Sequence, residues 1–481
     1  MSNRSEEDAL VAAFDRLRRD HPQQVLIAAP RSSATVEQVD DLARGIAARL
    51  VAIDCPAGAV VGLQAPNGPG FLGAILALRR AGLAALLLDR SAPEHGVARA
   101  LDRCGASGSI RCSSAWPADA SAFRISATVK PAVDRRMAHG AVIKLTSAST
   151  GDARGILTPT DALLADDAAL SRSMGLRPAD RIVAVVPFSH SYGLSSLVVP
   201  ALARGIRLVL PDRTGPFTQL EAARDLSATV FPTVPAFLAG LLDVHAPPAL
   251  PASLRLVISA GAPLLPETAR RFRTRFGRPV HAFYGASECG GISYDRDGTA
   301  AEAGSVGTPV EGVRVELIEQ AATGGEAAGR VVVVSPAVAQ GYVPQADPRL
   351  AGGRFVTDDL GTWVDGRLCL VGRLRGLINV KGHKVNPTEV ERVIAELEHV
   401  DQVRVIGISR GSAGDECVRA VVACRSGSLT PARVVEWCRG RLNDFEIPRS
   451  VVLVDRMPTD ARGKIEHALL AAVDDTGGSL G

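Results

Sequence analysis

Apolar residues along this chain fall into short, closely spaced runs that end in small or polar positions. Between residues 59 and 89, AVVGLQ gives way to the turn-like APNGPG, then to the helix-length FLGAILALRRAG and to LAALLLD. A strand, a helix with arginines near its C-terminal end followed by Gly82, and a second strand make a β-α-β unit. The unbroken apolar runs indicate strands covered on both faces, as in a parallel sheet. The theme recurs in RIVAVVPFSH (181–190), GIRLVLPD (205–212), ATVFPTVP (228–235), LRLVISAGAP (254–263) and RPVHAFYGASE (278–288), with segments such as LPETARRFRTRFG between them. Ligands of open parallel sheets sit just outside the carboxyl ends of the strands, and each run places its unusual residues there.

Beyond about residue 305 the runs shorten and alternate, as in VRVELIE, GRVVVVS and GRFVTDDLGTWVDGRLCLVGR, which predicts a small antiparallel β subdomain. From LRGLINVKGHKVNPTEVERVIAEL onward, helix and strand signals alternate up to PTDARGKIEHALL, predicting a small α+β domain. The break near Arg373 to Gly376 divides the chain into 1–373 and 374–481. The fold class is therefore α/β, with parallel-sheet subdomains in a large N-terminal domain.

Composition narrows the functional classes. At 481 residues the chain exceeds what one core usually serves, and 46% hydrophobic with 22% charged residues describes an ordinary globular protein. A net charge of +3 without a basic run of five or more gives no footprint for a nucleic acid. The charged N-terminus lacks a signal peptide's apolar core, and no run approaches the ~18 apolar residues of a membrane span, so a cytoplasmic protein is expected. Eight cysteines without a C-x-x-C pair and nine histidines without H-E-x-x-H argue against a zinc ribbon, a disulfide framework or a protein-built transition-metal site.

Residues 146–155, TSASTGDARG, hold four hydroxyl side chains, two glycines and an arginine. Short hydroxyls and open backbone N–H groups can converge on one anion, so the stretch reads as an anion cradle. Together with PFSHSYGL (187–194), FYGASE (283–288), VTDDLG (356–361), GRLRGLINVKGHKVNP (372–387) and PTDARGKI (458–465), in that order, it resembles the signature motifs of the adenylate-forming superfamily. That superfamily includes acyl-CoA synthetases, aryl-CoA ligases and the adenylation domains of peptide synthetases.

The resemblance implies a role for each matching residue. Thr146, Ser147, Ser149, Thr150, Gly151 and Arg154 would cradle the phosphates of ATP, with Arg154 standing where lysine is usual and Ala148 replacing a usual glycine. Gly261, Ala262 and Pro263 would line the adenine site, and Tyr284, followed by Gly285, would lie against the base. Ser287 would contact the α-phosphate or the acyl carboxylate. Glu288 would hold Mg²⁺, which needs few protein ligands because phosphates supply the rest. Asp359 would accept both ribose hydroxyls and Arg373 would hold the ribose or phosphate edge. Asp358, where glycine is usual, adds a second charge that could raise the pKa of one of the pair. His190 matches a position at the wall of the acyl pocket. Amino-acid-activating relatives place an aspartate near that motif, whereas Phe188, Ser189, His190 and Ser191 offer no acid, so an α-amino acid is not the expected substrate.

Lys464 matches the lysine that bridges the substrate carboxylate and the α-phosphate as they react. Arg375 matches the pivot about which the C-terminal domain turns between half-reactions, with Gly382 and Lys384 lining the channel for a pantetheine arm. The expected activity is ATP-dependent activation of a fatty or aryl acid and transfer to coenzyme A. A carrier-protein phosphopantetheine as acceptor, or a non-catalytic nucleotide-binding relative suggested by Ala148, Arg154 and Asp358, are the alternatives. A P-loop kinase is excluded by the absence of the G-x-x-x-x-G-K-[ST] spacing.

Overall fold

The computed structural model describes residues 8–51, 55–127, 141–146, 154–213, 215, 217–323, 326–373, 378–380, 383–409, 416–424, 427, 429–459, 465 and 470–471. Contacts group the chain into two compact units, residues 1–315 with 333–356 and residues 316–332 with 357–481.

The first unit is built on two large sheets. In the nine-stranded one, Leu256–Ser259 runs parallel between Val230–Thr233 and His281–Ala286, and Arg181–Val183, Arg207–Val209 and Val25–Ala29 continue the parallel series. Antiparallel strands close both edges. All five runs expected to be parallel between residues 181 and 288 lie in this sheet. The seven-stranded sheet contains the predicted β-α-β unit: Val60–Gln64 and Ala84–Leu87 pair in parallel across the helix Pro69–Arg80. Apolar side chains of both sheets, Leu63, Val142, Ile182 and Leu208 among them, share one buried cluster.

Past the strand Arg181–Val183, the chain is helical from Ser191 to Arg204, but Leu194–Val198 forms a widened π turn in which the N–H of Val199 donates to the carbonyl of Leu194. Pro200 follows. It has no N–H for the normal ladder, so the turn there is under less demand to stay α-helical. This is the helix that His190 caps.

In the second unit, Arg354–Val364 pairs antiparallel with Arg367–Arg373, beside Glu326–Val334 and Arg314–Thr323 in the same sheet. A separate three-stranded sheet joins Val400–Ser409, Glu416–Cys424 and Ser450–Val454. The helices Pro387–Ala395 and Pro431–Cys438 supply Val390, Ile394 and Val434 to its core. The alternating runs after residue 305 and the mixed pattern after residue 376 thus form the antiparallel and α+β parts that their periodicities predict. Among the described residues no helix is long and apolar enough to cross a membrane.

Candidate active site

Strand Ala141–Leu145 turns back antiparallel on Gly155–Pro159, with Leu145 opposite Gly155. The hydroxyl-rich segment therefore joins the two strands of an antiparallel pair, and the helix Thr160–Met174 begins only after the second strand. Two bonds close its base: the Thr146 N–H donates to the Arg154 carbonyl, and the Arg154 N–H donates to Thr146 Oγ1, each at 2.9 Å. Ser147, Ser149, Thr150 and Gly151, together with Ala148, lie outside the described residues. The Arg154 guanidinium lies 3.9 Å from the centroid of the Tyr342 ring and 3.3 Å from Asp347 Oδ2, and it donates to the Gln345 carbonyl at 3.3 Å. Arg349 and Arg154 hold the Asp347 carboxyl well below its usual range. A planar cation can stack on a ring and use its edge for a carboxylate at once; an ammonium cannot.

The adenine-side residues gather at adjoining strand ends. Ser259 lies opposite Ala282 in the parallel pair Leu256–Ser259 and His281–Ala286. That register sets the exposed Gly261, Ala262 and Pro263 beside the strand that carries Tyr284 and Gly285. The chain then doubles back through Ser287, Glu288 and Cys289 into Gly290–Tyr294. The doubling is tight: a Cβ on Gly285 would stand 2.7 Å from the Gly290 carbonyl oxygen. Gly290 itself has φ +70°, and a Cβ there would meet the Asp166 carboxyl carbon at 2.4 Å. Asp166 fills that notch and accepts from the Gly291 N–H at 2.9 Å.

Glu288, on this turn, is fixed by main chain and side chain together. Its carbonyl accepts from the Ala339 N–H at 2.8 Å, and its Oε1 accepts from the Tyr342 hydroxyl at 2.8 Å. Burial, then the charge of Glu288, raises the Tyr342 pKa, so the phenol stays protonated and is the donor. Oε2 has no hydrogen-bond partner among the described residues. No group of three or more His, Cys, Asp or Glu among the described residues is placed to hold a metal ion. A hard cation that takes most of its oxygens from a triphosphate needs only one such carboxylate oxygen, and Glu288 fits that demand.

His190 is approached by an acid from elsewhere in the chain. Its Nε2 stands 2.7 Å from Asp89 Oδ2, just past the strand Ala84–Leu87. The bond from His190, with help from Ser91, holds the Asp89 carboxyl well below its usual range. Asn67 fixes the segment before it, donating to the carbonyls of Ala184 and Val186 and accepting from the Phe188 N–H at 2.8 Å. An acid is thus present at this motif, contrary to the reading of residues 188–191 alone, but its charge is engaged by the imidazole.

In the second unit, Asp359 lies opposite Arg373 in the antiparallel register, and the Arg373 guanidinium donates to its carboxylate. Neighbouring residues of a strand face opposite ways, and Asp358 pairs with Arg330 at 3.2 Å. The extra charge at 358 therefore has its own cation. Arg375, Gly382 and Lys464 lie outside the described residues, as does the side chain of Lys384. Ile465, next to Lys464, packs with Ile406, Val421, Met457 and Leu470.

Residues 14–343 match the model of the family described as AMP-binding enzyme, and residues 389–464 match the C-terminal domain of the same enzymes. The chain belongs to the AMP-binding enzyme family. It is an enzyme of the adenylate-forming superfamily. The chain is 29% identical over 345 residues to an oxalate–CoA ligase of Arabidopsis thaliana, covering 69% of this chain and 67% of that one. It is 27% identical over 504 residues to a methyl-dioxo-octahydro-indenyl propanoyl:CoA ligase of Mycobacterium tuberculosis, covering 95% and 97%. The crystal structure of ATP-bound MatB from Rhodopseudomonas palustris superposes with a TM-score of 0.79 at 25% identity, over 96% of this chain and 98% of that one.

Asp89, Tyr342, Asp347 and Lys144 carry much of the local chemistry and escaped sequence reasoning. Only Lys144 left a signal, a cation inside the otherwise apolar strand AVIKL.

Proposed function

We propose that this enzyme is an acid–thiol ligase that activates a carboxylic acid as its acyl adenylate and passes the acyl group to coenzyme A. The observation that best supports the reading is Glu288, a carboxylate held by Tyr342 on the turn that follows the strand carrying Tyr284, while the strand of Tyr342 pairs with the one that begins just after Arg154. In this reading Thr146, Ser147, Ser149, Thr150, Gly151 and Arg154 embrace the triphosphate. Gly261, Ala262, Pro263, Tyr284 and Gly285 take the adenine, Asp359 and Arg373 the ribose, and Glu288 a magnesium ion bound with the phosphates.

The substrate carboxylate, already an anion, attacks the α-phosphorus without a general base, and pyrophosphate leaves. Lys464 neutralises the two groups as they fuse, more in the transition state than before it; Ser287 and His190 position the acyl end. The thiol sulfur then attacks the acyl carbon and AMP leaves. Because Lys464 must withdraw for the thiol to enter, residues 374–481 would turn about Arg375, with Gly382 and Lys384 lining the path of the pantetheine arm. ATP and coenzyme A as co-substrates fit a cytoplasmic enzyme. A fatty or aryl acid remains the expected acyl donor; the carboxylate of Asp89 is engaged by His190 rather than offered to an α-ammonium group.

The test is ATP–pyrophosphate exchange across acids of graded length and aromaticity, followed by thioester formation with coenzyme A or with a phosphopantetheinylated carrier protein. Exchange with at least one acid and thioester with coenzyme A are expected. No exchange with any acid would refute the activity; thioester on the carrier alone would reassign the acceptor.

A further inference from the structure

A cavity of about 20 Å³ lies between the nine-stranded sheet and the helical segment that His190 caps. That is room for about one water-sized group. Its floor is one face of the sheet: Val230 is opposite Ile182, Pro232 is opposite Ile258, and residues two apart on a strand share a face. The helix Thr160–Met174 adds Leu170 and Met174. From residues 191–204 come Tyr192, Ser195, Ser196 and Pro200, spaced as one helical face, with the π turn among them. The hydroxyls of Tyr192 and Ser196 are buried without a hydrogen-bond partner among the described residues. The Thr233 main-chain N–H approaches the phenol oxygen but falls short of a bond. Burial raises the Tyr192 pKa, so the phenol keeps its proton and that proton lacks an acceptor. Two unpaired hydroxyls at an otherwise apolar cavity are costly unless a guest accepts from them. Asp167, the acid of the lining, is already committed to Arg204 at 2.6 Å and to Ser171 at 3.3 Å. No lysine, arginine or histidine is among the described lining residues, so a negatively charged guest would be buried without a counter-charge. Tyr192 also ties the cavity to the site. It follows His190 by two positions, and its ring packs on Phe283, 5.9 Å between centroids, next to Tyr284.

We infer that the acid this enzyme activates carries, at the end remote from the reacting carboxylate, one neutral oxygen function, a hydroxyl or a carbonyl, which this cavity seats between Tyr192 and Ser196. The inference rests on the reading of the enzyme as an acid-activating ligase. It narrows the fatty or aryl acids of that reading to those with a polar, uncharged tip, and it sets aside those with a second carboxylate there. An acid without the oxygen takes the place of a water and leaves both hydroxyls unpaired, so it is the poorer substrate by about tenfold or more. Tyr192 and Ser196 are then specificity-determining residues. Damage to the fold lowers activity toward a tipped acid and its parent alike; loss of a recognising hydroxyl lowers the ratio between them.

The experiment pairs each unsubstituted acid of the graded exchange screen with derivatives tipped by a hydroxyl, a carbonyl or a carboxylate at the para or ω position, and compares kcat/KM in ATP–pyrophosphate exchange. For the best-used chain or ring, a neutral oxygen tip should raise kcat/KM by about tenfold or more over the parent, and a carboxylate tip should lower it below the parent. Tyr192→Phe, which keeps the ring on Phe283, and Ser196→Ala should each bring the ratio of tipped acid to parent to within about threefold of unity. A parent acid equal to or better than its neutral-tipped partners in every series that exchanges overturns the inference, as does preference for a carboxylate tip. A ratio that survives both substitutions removes the assignment of Tyr192 and Ser196. Should a variant not fold, the wild-type ratios decide alone. If no acid, tipped or not, supports exchange, it is the ligase reading that fails, and the inference falls with it.

Discussion

Replacing Asp89 by asparagine tests whether the segment around His190, proposed to position the acyl end, is organised by charge. The substitution keeps the shape and an acceptor for His190 Nε2 but removes the carboxylate's charge. A hydrogen bond to a charged group contributes about 1.5–3 kcal/mol. Here the side chains of His190 and Asp89 are 34% and 18% exposed, so solvent screening reduces the expected loss to about 1 kcal/mol. In a chain of this size that lowers Tm by about 1–2 °C. The sign with pH follows from the depressed carboxyl. The folded pKa lies below the ordinary value of 3.8, so the contribution is whole above that pH and is lost as pH falls through the folded pKa. The gap between wild type and Asp89→Asn should be widest near neutrality and close in acid. In pyrophosphate exchange, an imidazole that has lost its anchor should raise KM for the acid about fivefold, the kinetic equivalent of about 1 kcal/mol, and leave KM for ATP within about twofold. His190→Ala with Asp89→Asn should be no worse than His190→Ala alone, since both remove one interaction. A parallel rise in KM for ATP, or multiplying effects in the double variant, would refute the dyad.

Lys464→Ala should reduce acyl-adenylate formation by about 10²-fold or more and spare thioester formation from supplied acyl-AMP; equal loss in both half-reactions would remove the lysine from its role. Gly290→Ala places a Cβ 2.4 Å from the Asp166 carboxyl carbon at φ +70° and should cost about 2–4 kcal/mol, read as a lowered urea midpoint. An unshifted midpoint would mean that the turn carrying Glu288 does not depend on this packing.

The parallel sheet was legible because its strands are buried on both faces and so appear as unbroken apolar runs, each ending in small or polar residues. The antiparallel pairing of Ala141–Leu145 with Gly155–Pro159 was less so. AVIKL and GILTP are both apolar and short, and nothing in either tells whether its neighbour is parallel or antiparallel; that is decided by the nine residues between them, too few for a crossover. The pairings at the site were harder still. Asp89 stands 101 positions from His190, and Tyr342 stands 54 from Glu288. No periodicity relates such residues. Each pair joins the two sheets: Asp89 follows Ala84–Leu87 and Tyr342 lies in Gly341–Val343, both of the seven-stranded sheet, whereas His190 and Glu288 follow strands of the nine-stranded one.

The same geometry bears on whether the departures from the family pattern are damage. An inert relative accumulates substitutions without regard to their surroundings, so its new charges have no reason to meet partners. Arg154, in place of a usual lysine, meets an aromatic face at 3.9 Å and a carboxylate at 3.3 Å, and a planar guanidinium can stack on the one while its edge faces the other. Asp358, in place of a usual glycine, meets Arg330 at 3.2 Å. Each substituted charge is therefore matched by a residue far from it in sequence. The match at Arg154 also runs through Tyr342 to Glu288, so that Arg154, at the base of the hydroxyl-rich segment, and the Glu288 carboxylate are held by one set of contacts. That is the arrangement of a site kept in working order, and it favours a catalytic enzyme whose nucleotide grip is built from a different choice of side chains.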